Sequence, residues 1–415
     1  MTKQTIAANR DKTTTKARLK KELTLPLVTL YGIGVTIGAG IYVLVGATSA
    51  KAGLYAPISF VLAAFVTAFT GLSYAELSTR MPVSAGEAAY VKAGFKSDKL
   101  ALIVGLLVAA SGIISSAAVA IGANSYIQHF LALSPSLIIT IVVLTLGAIA
   151  IWGILESVVV ASIFTLVEIA GLCLVVYFGL TINPDISSQL VTIIPPFEKE
   201  AWLGIFSASL LAFFAFIGFE DMANVAEEVK DPRGTMPWAI ILTLLISTVI
   251  YCLVVAVVVL AVPMNILTQS SAPLALIFEQ AGDTSANLFN GIAIIATLNG
   301  VLIQIIMASR IIYGLAKQNN LPQAFAEVNS VTQTPLKATI VVVSLVLALA
   351  LFFPIADLAK ATSVVVLIVF SLVNLALLQI KRKPAPKEKT YFEVSKWIPI
   401  IGLISSVTLL FTGFL

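Results

Sequence analysis

The sequence predicts an all-α membrane protein: eleven spans, ten of them in a five-plus-five inverted repeat whose first and sixth helices are discontinuous, and one extra helix at the C-terminus. Three observations predict it. Of 415 residues, 59% are hydrophobic and 11% charged, and mean hydropathy is +1.02, whereas a soluble domain holds about 45–50% apolar and about 25% charged residues. The apolar residues lie in solid runs of the ~20 residues a bilayer core requires. Two of those runs, five spans apart, are interrupted in their middles.

Residues 1–22 are polar and basic with no apolar core, so they predict a disordered cytosolic tail rather than a signal peptide. The first repeat covers 23–180, with spans near 25–50, 55–79, 99–128, 134–153 and 157–180. The second covers 181–380, with spans near 201–226, 237–262, 285–312, 337–353 and 357–380. A basic linker and the eleventh helix, near 396–415, fill 381–415. Solid rather than alternating runs favour helices over barrel strands. With the N-terminus in the cytosol, all Lys and Arg except Lys51, Lys199 and Lys360 fall on the inner side. That satisfies the positive-inside rule and puts the C-terminus outside.

This composition excludes a soluble enzyme and a nucleic-acid binder. One histidine, His129, and two separated cysteines, Cys173 and Cys252, leave no metal cluster and no nucleophile–base pair. No enzyme activity, cofactor or metal is expected.

The first interruption is Gly32-Ile-Gly34-Val-Thr-Ile-Gly38-Ala-Gly40. Glycine weakens a helix by roughly 1 kcal/mol relative to alanine, although close packing of helices also recruits small residues. The second interruption places Gly218, Glu220 and Asp221 in an apolar run, where a charge costs ~3 kcal/mol or more and usually faces a wet cavity. Paired interruptions at matching places in two halves point to a transport site. A broken helix offers N–H groups to an anion and C=O groups to a cation. A small zwitterion fits both, and an α-amino acid is the simplest.

Five motifs then appear in order. They are Gly34-Val-Thr-Ile-Gly-Ala-Gly-Ile-Tyr42; Tyr74-Ala-Glu-Leu-Ser-Thr-Arg80 with Ser84-Ala-Gly-Glu-Ala-Ala-Tyr90; Phe214-Ala-Phe-Ile-Gly-Phe-Glu220; Ser309-Arg-Ile-Ile-Tyr-Gly-Leu-Ala316; and Trp397-Ile-Pro-Ile-Ile-Gly402. Through them the chain resembles the amino acid–polyamine–organocation permeases, which have the leucine-transporter fold. The resemblance implies that the substrate carboxylate meets the N–H groups of Ala39 and Gly40. It implies that the ammonium meets the carbonyls of Thr36, Phe214 and Ile217, with Phe214 or Phe216 as an aromatic lid. Ile37 and Gly38 complete the expected binding segment. The paired aromatics suggest small or medium apolar substrates. Similar permeases usually have twelve spans and often carry lysine where this chain has Glu168.

Glu168 is the expected coupling residue. Burial disfavours its charged form, and an ionised carboxylate cannot donate to carbonyls as lysine does. It therefore works protonated, or bridged by a cation. Proton coupling is the leading reading and sodium the second. Glu220, Asp221 and Thr297 are secondary candidates. Glu220 equally fits a structural role, bonding the unwound backbone. The resulting expectation is a multi-pass cell-membrane permease for an α-amino acid, working by alternating access. Two alternatives stay open: an amino acid or polyamine exchanger without ion coupling, and a sensor or channel on the same fold. The lipid bilayer is the only macroscopic partner indicated, and the oligomeric state is open.

Overall fold

A computed structural model describes residues 23–83, 86–152, 158–281, 283–317, 319–329, 332, 334–383 and 391–412. The expected tail 1–22 and part of the 381–415 linker lie outside these residues. Among the described residues the chain is helical. The one strand-like feature is an isolated parallel bridge between Leu23 and Val229.

Each expected span coincides with helix. Helix α1 (Leu25–Ile37) starts on a proline in its first turn, where the missing N–H costs nothing. It stops at Gly38, whose ψ of −154° leaves the helical region, and α2 (Ala39–Ala52) resumes at once. Then follow α3 (Ala56–Arg80), α4 (Gly86–Phe95), α5 (Asp98–Ile127), α6 (Pro135–Trp152), α7 (Val158–Ile182) and the short α8 (Ile186–Gln189). Helix α9 (Lys199–Phe214) ends mid-span and passes through a turn into the 3₁₀ segment Phe219–Glu228. The second half continues with α10 (Pro232–Ala261), α11 (Met264–Leu267), α12 (Ala275–Ala281), α13 (Asp283–Lys317), α14 (Leu336–Phe352), α15 (Ile355–Lys381) and α16 (Trp397–Thr412).

Seven described helical stretches are long and apolar enough to cross a bilayer, and four further apolar helices have 10–17 residues. Leu, Ile and Phe are exposed along the outward faces of several of them, including Phe65, Ile141, Leu166 and Leu253. Such a surface suits lipid and not water.

The inner polar residues tie helices together. Asn374 of α15 donates to Thr70 Oγ1 (3.0 Å) and accepts from Ser73 Oγ (2.7 Å), both on α3. Glu76 of α3, fully buried, is bonded by Arg80 (2.6 Å), by Lys381 (2.7 Å) and by the Val394 N–H (2.9 Å). Arg80 also lies over the Tyr391 ring, 4.1 Å from its centroid. This buried cluster fastens the segment before α16 to the end of α3. Lys230 N–H donates to Leu23 O (3.0 Å), so the chain entering α1 is held to the chain leaving the 3₁₀ segment.

Candidate functional site

Both predicted interruptions are present and they touch. A Cβ added at Gly40 would lie 2.5 Å from Ala215 Cα. Glycine is required at 40 by that approach. At Gly218 it is required by a φ of +124°, which side-chain-bearing residues rarely adopt. The other glycines of the first motif pack closely: a Cβ at Gly34 would be 2.0 Å from Thr165 Oγ1 on α7. The glycine-rich stretch therefore serves both as a break, at Gly38, and as a packing face.

Tyr251 of α10 joins the two breaks. Its buried hydroxyl lies 2.6 Å from Thr36 O and 2.8 Å from Ala215 O, a single O–H shared between a carbonyl in the last turn of α1 and the one that caps α9. Glu220 caps the second break: Gly218 N–H donates to its Oε2 at 2.8 Å. Asp221 N–H donates to Gly218 O (3.0 Å), and the Asp221 side chain is buried.

A cavity with about 410 Å³ of empty space, part of it open, lies against the breaks. Its wall includes Thr36, Gly38, Gly40, Phe214 and Ile217 from the expected segments. Ile37 and Phe216 are fully buried and absent from that wall; the Phe216 ring packs edge-on against Tyr251, 5.1 Å between centroids. The Thr297 hydroxyl donates to its own helix, to Ala293 O or Ile294 O, and is likewise absent. The Ala39 side chain lies outside the description. The structure adds Ser115 and Val119 from α5, and Gly300, Ile303 and Gln304 from α13. A glutamine in an apolar run was the available signal for the last of these.

Glu168 lies beside this site rather than on its wall. It is fully buried in α7, and neither carboxyl oxygen has a hydrogen-bond partner among the described residues. Tyr42 Oη donates to the Glu168 backbone carbonyl at 2.9 Å, and Tyr126 Oη in turn bonds Tyr42 O. Asn299 of α13, Tyr42 and Tyr251 are its polar neighbours.

An amino acid permease family model matches residues 23–415. The chain belongs to the amino acid permease family. Among relatives of this permease, the branched-chain amino acid permease BcaP of Bacillus subtilis is 27% identical over 96% of this chain and 88% of its own length. Cationic amino acid transporter 3, mitochondrial, of Arabidopsis thaliana is 30% identical over 89% of this chain and 64% of its own length. The methylthioribose transporter of B. subtilis is 29% identical over 91% and 85%. The fold is that of a solved Na+-coupled sialic acid symporter, with a TM-score of 0.65 at 12% identity over 95% of this chain and 89% of that one. The permease is thus a multi-pass membrane protein of the amino acid–polyamine–organocation superfamily with a leucine-transporter-like fold.

Proposed function

We propose that this permease is a proton-coupled symporter of an α-amino acid that works by alternating access around the two helix breaks. The contact of Gly40 with Ala215 beside the cavity carries the reading. It brings the N-terminal end of α2 next to the C-terminal end of α9, where Ala215 O accepts from Tyr251 and Phe214 O from the Ile217 N–H, each with a second lone pair to offer. A carboxylate is stabilised at the first and an ammonium at the second. The two groups of an α-amino acid sit on one carbon, so a single molecule spans both ends. Thr36, Gly38, Ala39, Gly40, Phe214 and Ile217 hold its backbone, and Phe214 covers it. Relatives named for amino acids support the substrate class.

Proton coupling is supported by the fully buried Glu168 carboxyl, which has neutral neighbours only in Asn299, Tyr42 and Tyr251 among the described residues. An ionised carboxylate at that depth is costly, so a proton entering and leaving there changes the energy of the packed α1–α7 contact. The Lys and Arg distribution supports a cell-membrane orientation with the N-terminus inside and the C-terminus outside.

Counterflow in proteoliposomes tests the core of the reading. Vesicles preloaded with an unlabelled amino acid should take up the labelled one, and an imposed inward proton gradient should then drive accumulation in unloaded vesicles. Binding without exchange would assign a sensor instead. Exchange that ignores the proton gradient would assign an exchanger.

A further inference from the structure

Away from the two breaks, the cavity wall carries two polar side chains, Ser115 of α5 and Gln304 of α13, 7% and 9% exposed. Neither makes a hydrogen bond to a described residue. Gly112 makes room for the glutamine: a Cβ there would sit 3.1 Å from Gln304 Oε1 and 3.0 Å from Met307 Cε. The rest of this wall is Val35, Val119, Gly300 and Ile303, and among the described residues no Asp, Glu, Lys or Arg lines the cavity.

The chemistry of the wall discriminates in two directions. A charged substrate side chain would meet no counter-ion on this wall, which is costly where the side chain is taken out of water. An aliphatic side chain would displace water from the Gln304 amide and leave its donor and acceptor unmade. A hydroxyl or carboxamide satisfies both. A site built to bond a polar substrate group rejects the analogue lacking it far more strongly than an apolar site rejects an added hydroxyl. The expected apolar preference rested on two aromatics, and one of these, Phe216, is turned to Tyr251.

We infer that Gln304 and Ser115 select a short, uncharged side chain bearing a hydroxyl or carboxamide, so that the substrate is a neutral polar α-amino acid of the serine, threonine, asparagine or glutamine kind. This inference rests on the amino acid transport reading and narrows it.

The test is counterflow by the full-length protein with labelled L-serine, L-asparagine, L-leucine and L-arginine, paired with thermal shift for the same four. Serine or asparagine should bind at least about tenfold more tightly than leucine or arginine, the effect of about one unsatisfied hydrogen bond. Gln304→Leu should erase that margin and favour leucine, and Ser115→Ala should narrow it. Preference of the wild type for leucine or arginine would overturn the inference while leaving amino acid transport intact. A polar preference that survives both substitutions would overturn the assignment to these residues. If none of the twenty amino acids exchanges or stabilises, the transport reading itself falls.

Discussion

Gly40 of α2 meets Ala215, the residue after α9, backbone against backbone, with room for no side chain between them. The two half-helices converge only because position 40 ends at its Cα. Gly40→Ala should weaken amino acid counterflow at least about tenfold, and Gly40→Val should abolish it, because the added carbons push α9 away from the free N–H groups. Detergent-purified Gly40→Val should still be monodisperse. Retained wild-type counterflow in that variant would show that the breaks need not touch.

Tyr251 shares one proton between Thr36 O, one of the carbonyls expected to meet the ammonium, and Ala215 O. Tyr251→Phe removes this side-chain donor from both carbonyls without altering the ring that packs on Phe60 and Phe216. The buried carbonyls then lose a partner, at a cost of about 1–3 kcal/mol. A lower melting temperature and a higher half-saturation for substrate should both follow. An unchanged melting temperature would mean the hydroxyl contributes nothing to holding the breaks together.

How much of this was legible in the sequence follows from which physics each feature uses. The helices were legible because lipid forces long apolar runs, and each expected span lies on one. The breaks were legible because Gly38 and Gly218 sit where a continuous helix would have no use for them. The cavity wall was legible only in part. Thr36 and Phe214 face it, but Ile37 and Phe216, one or two residues away, point into packing. That difference depends on the rotation of an unwound segment, which no helical period predicts. Gln304 and Ser115 stand out as polar residues in apolar runs, but their place on the wall depends on the register of α13 against α5. Tyr251 gave no signal at all, since a tyrosine in an apolar span reads as core until its hydroxyl is seen between two carbonyls.

The Glu76 cluster should carry measurable stability. Its carboxylate is fully buried, Lys381 is 4% exposed, and the two are 2.7 Å apart. Removing Lys381 leaves Arg80 and the Val394 N–H on the carboxylate, so the cost stays below the about 3–5 kcal/mol of a buried charge left with no partner. Lys381→Met should therefore lower the melting temperature more than Lys337→Met, whose pair with Glu327 is exposed on both sides. Equal effects would show that water reaches Glu76.

Glu87 predicts a pH dependence on helix α4, which lies between the long apolar helices α3 and α5. Desolvation by burial, opposed by bonds from its own backbone and from Tyr74 Oη (3.2 Å), pushes its carboxyl up to about 7. The folded protein then holds a proton that the unfolded chain releases near pH 4.5. This group's stabilisation is full below about 4.5, declines as pH rises towards 7, and is gone above it. Glu87→Gln stays neutral throughout and accepts the Tyr74 bond. The melting temperature of the wild type should fall more steeply between pH 5 and 7.5 than that of Glu87→Gln, and parallel profiles would refute the shift.

Glu168 separates coupling from binding. Its carboxyl is fully buried, has no hydrogen-bond partner among the described residues and is absent from the cavity wall, so its replacement should spare the substrate contacts. Glu168→Gln keeps the shape, adds a donor and removes the exchangeable proton. Counterflow should persist in this variant, because exchange needs only the loaded carrier to turn over. Accumulation driven by a proton gradient should disappear, because no proton is carried with the substrate. The contrast distinguishes coupling from a packing role: damage to the α1–α7 contact, where Gly34 lies against Thr165, would depress both measurements together. Gradient-driven accumulation at the wild-type level would remove Glu168 from the mechanism.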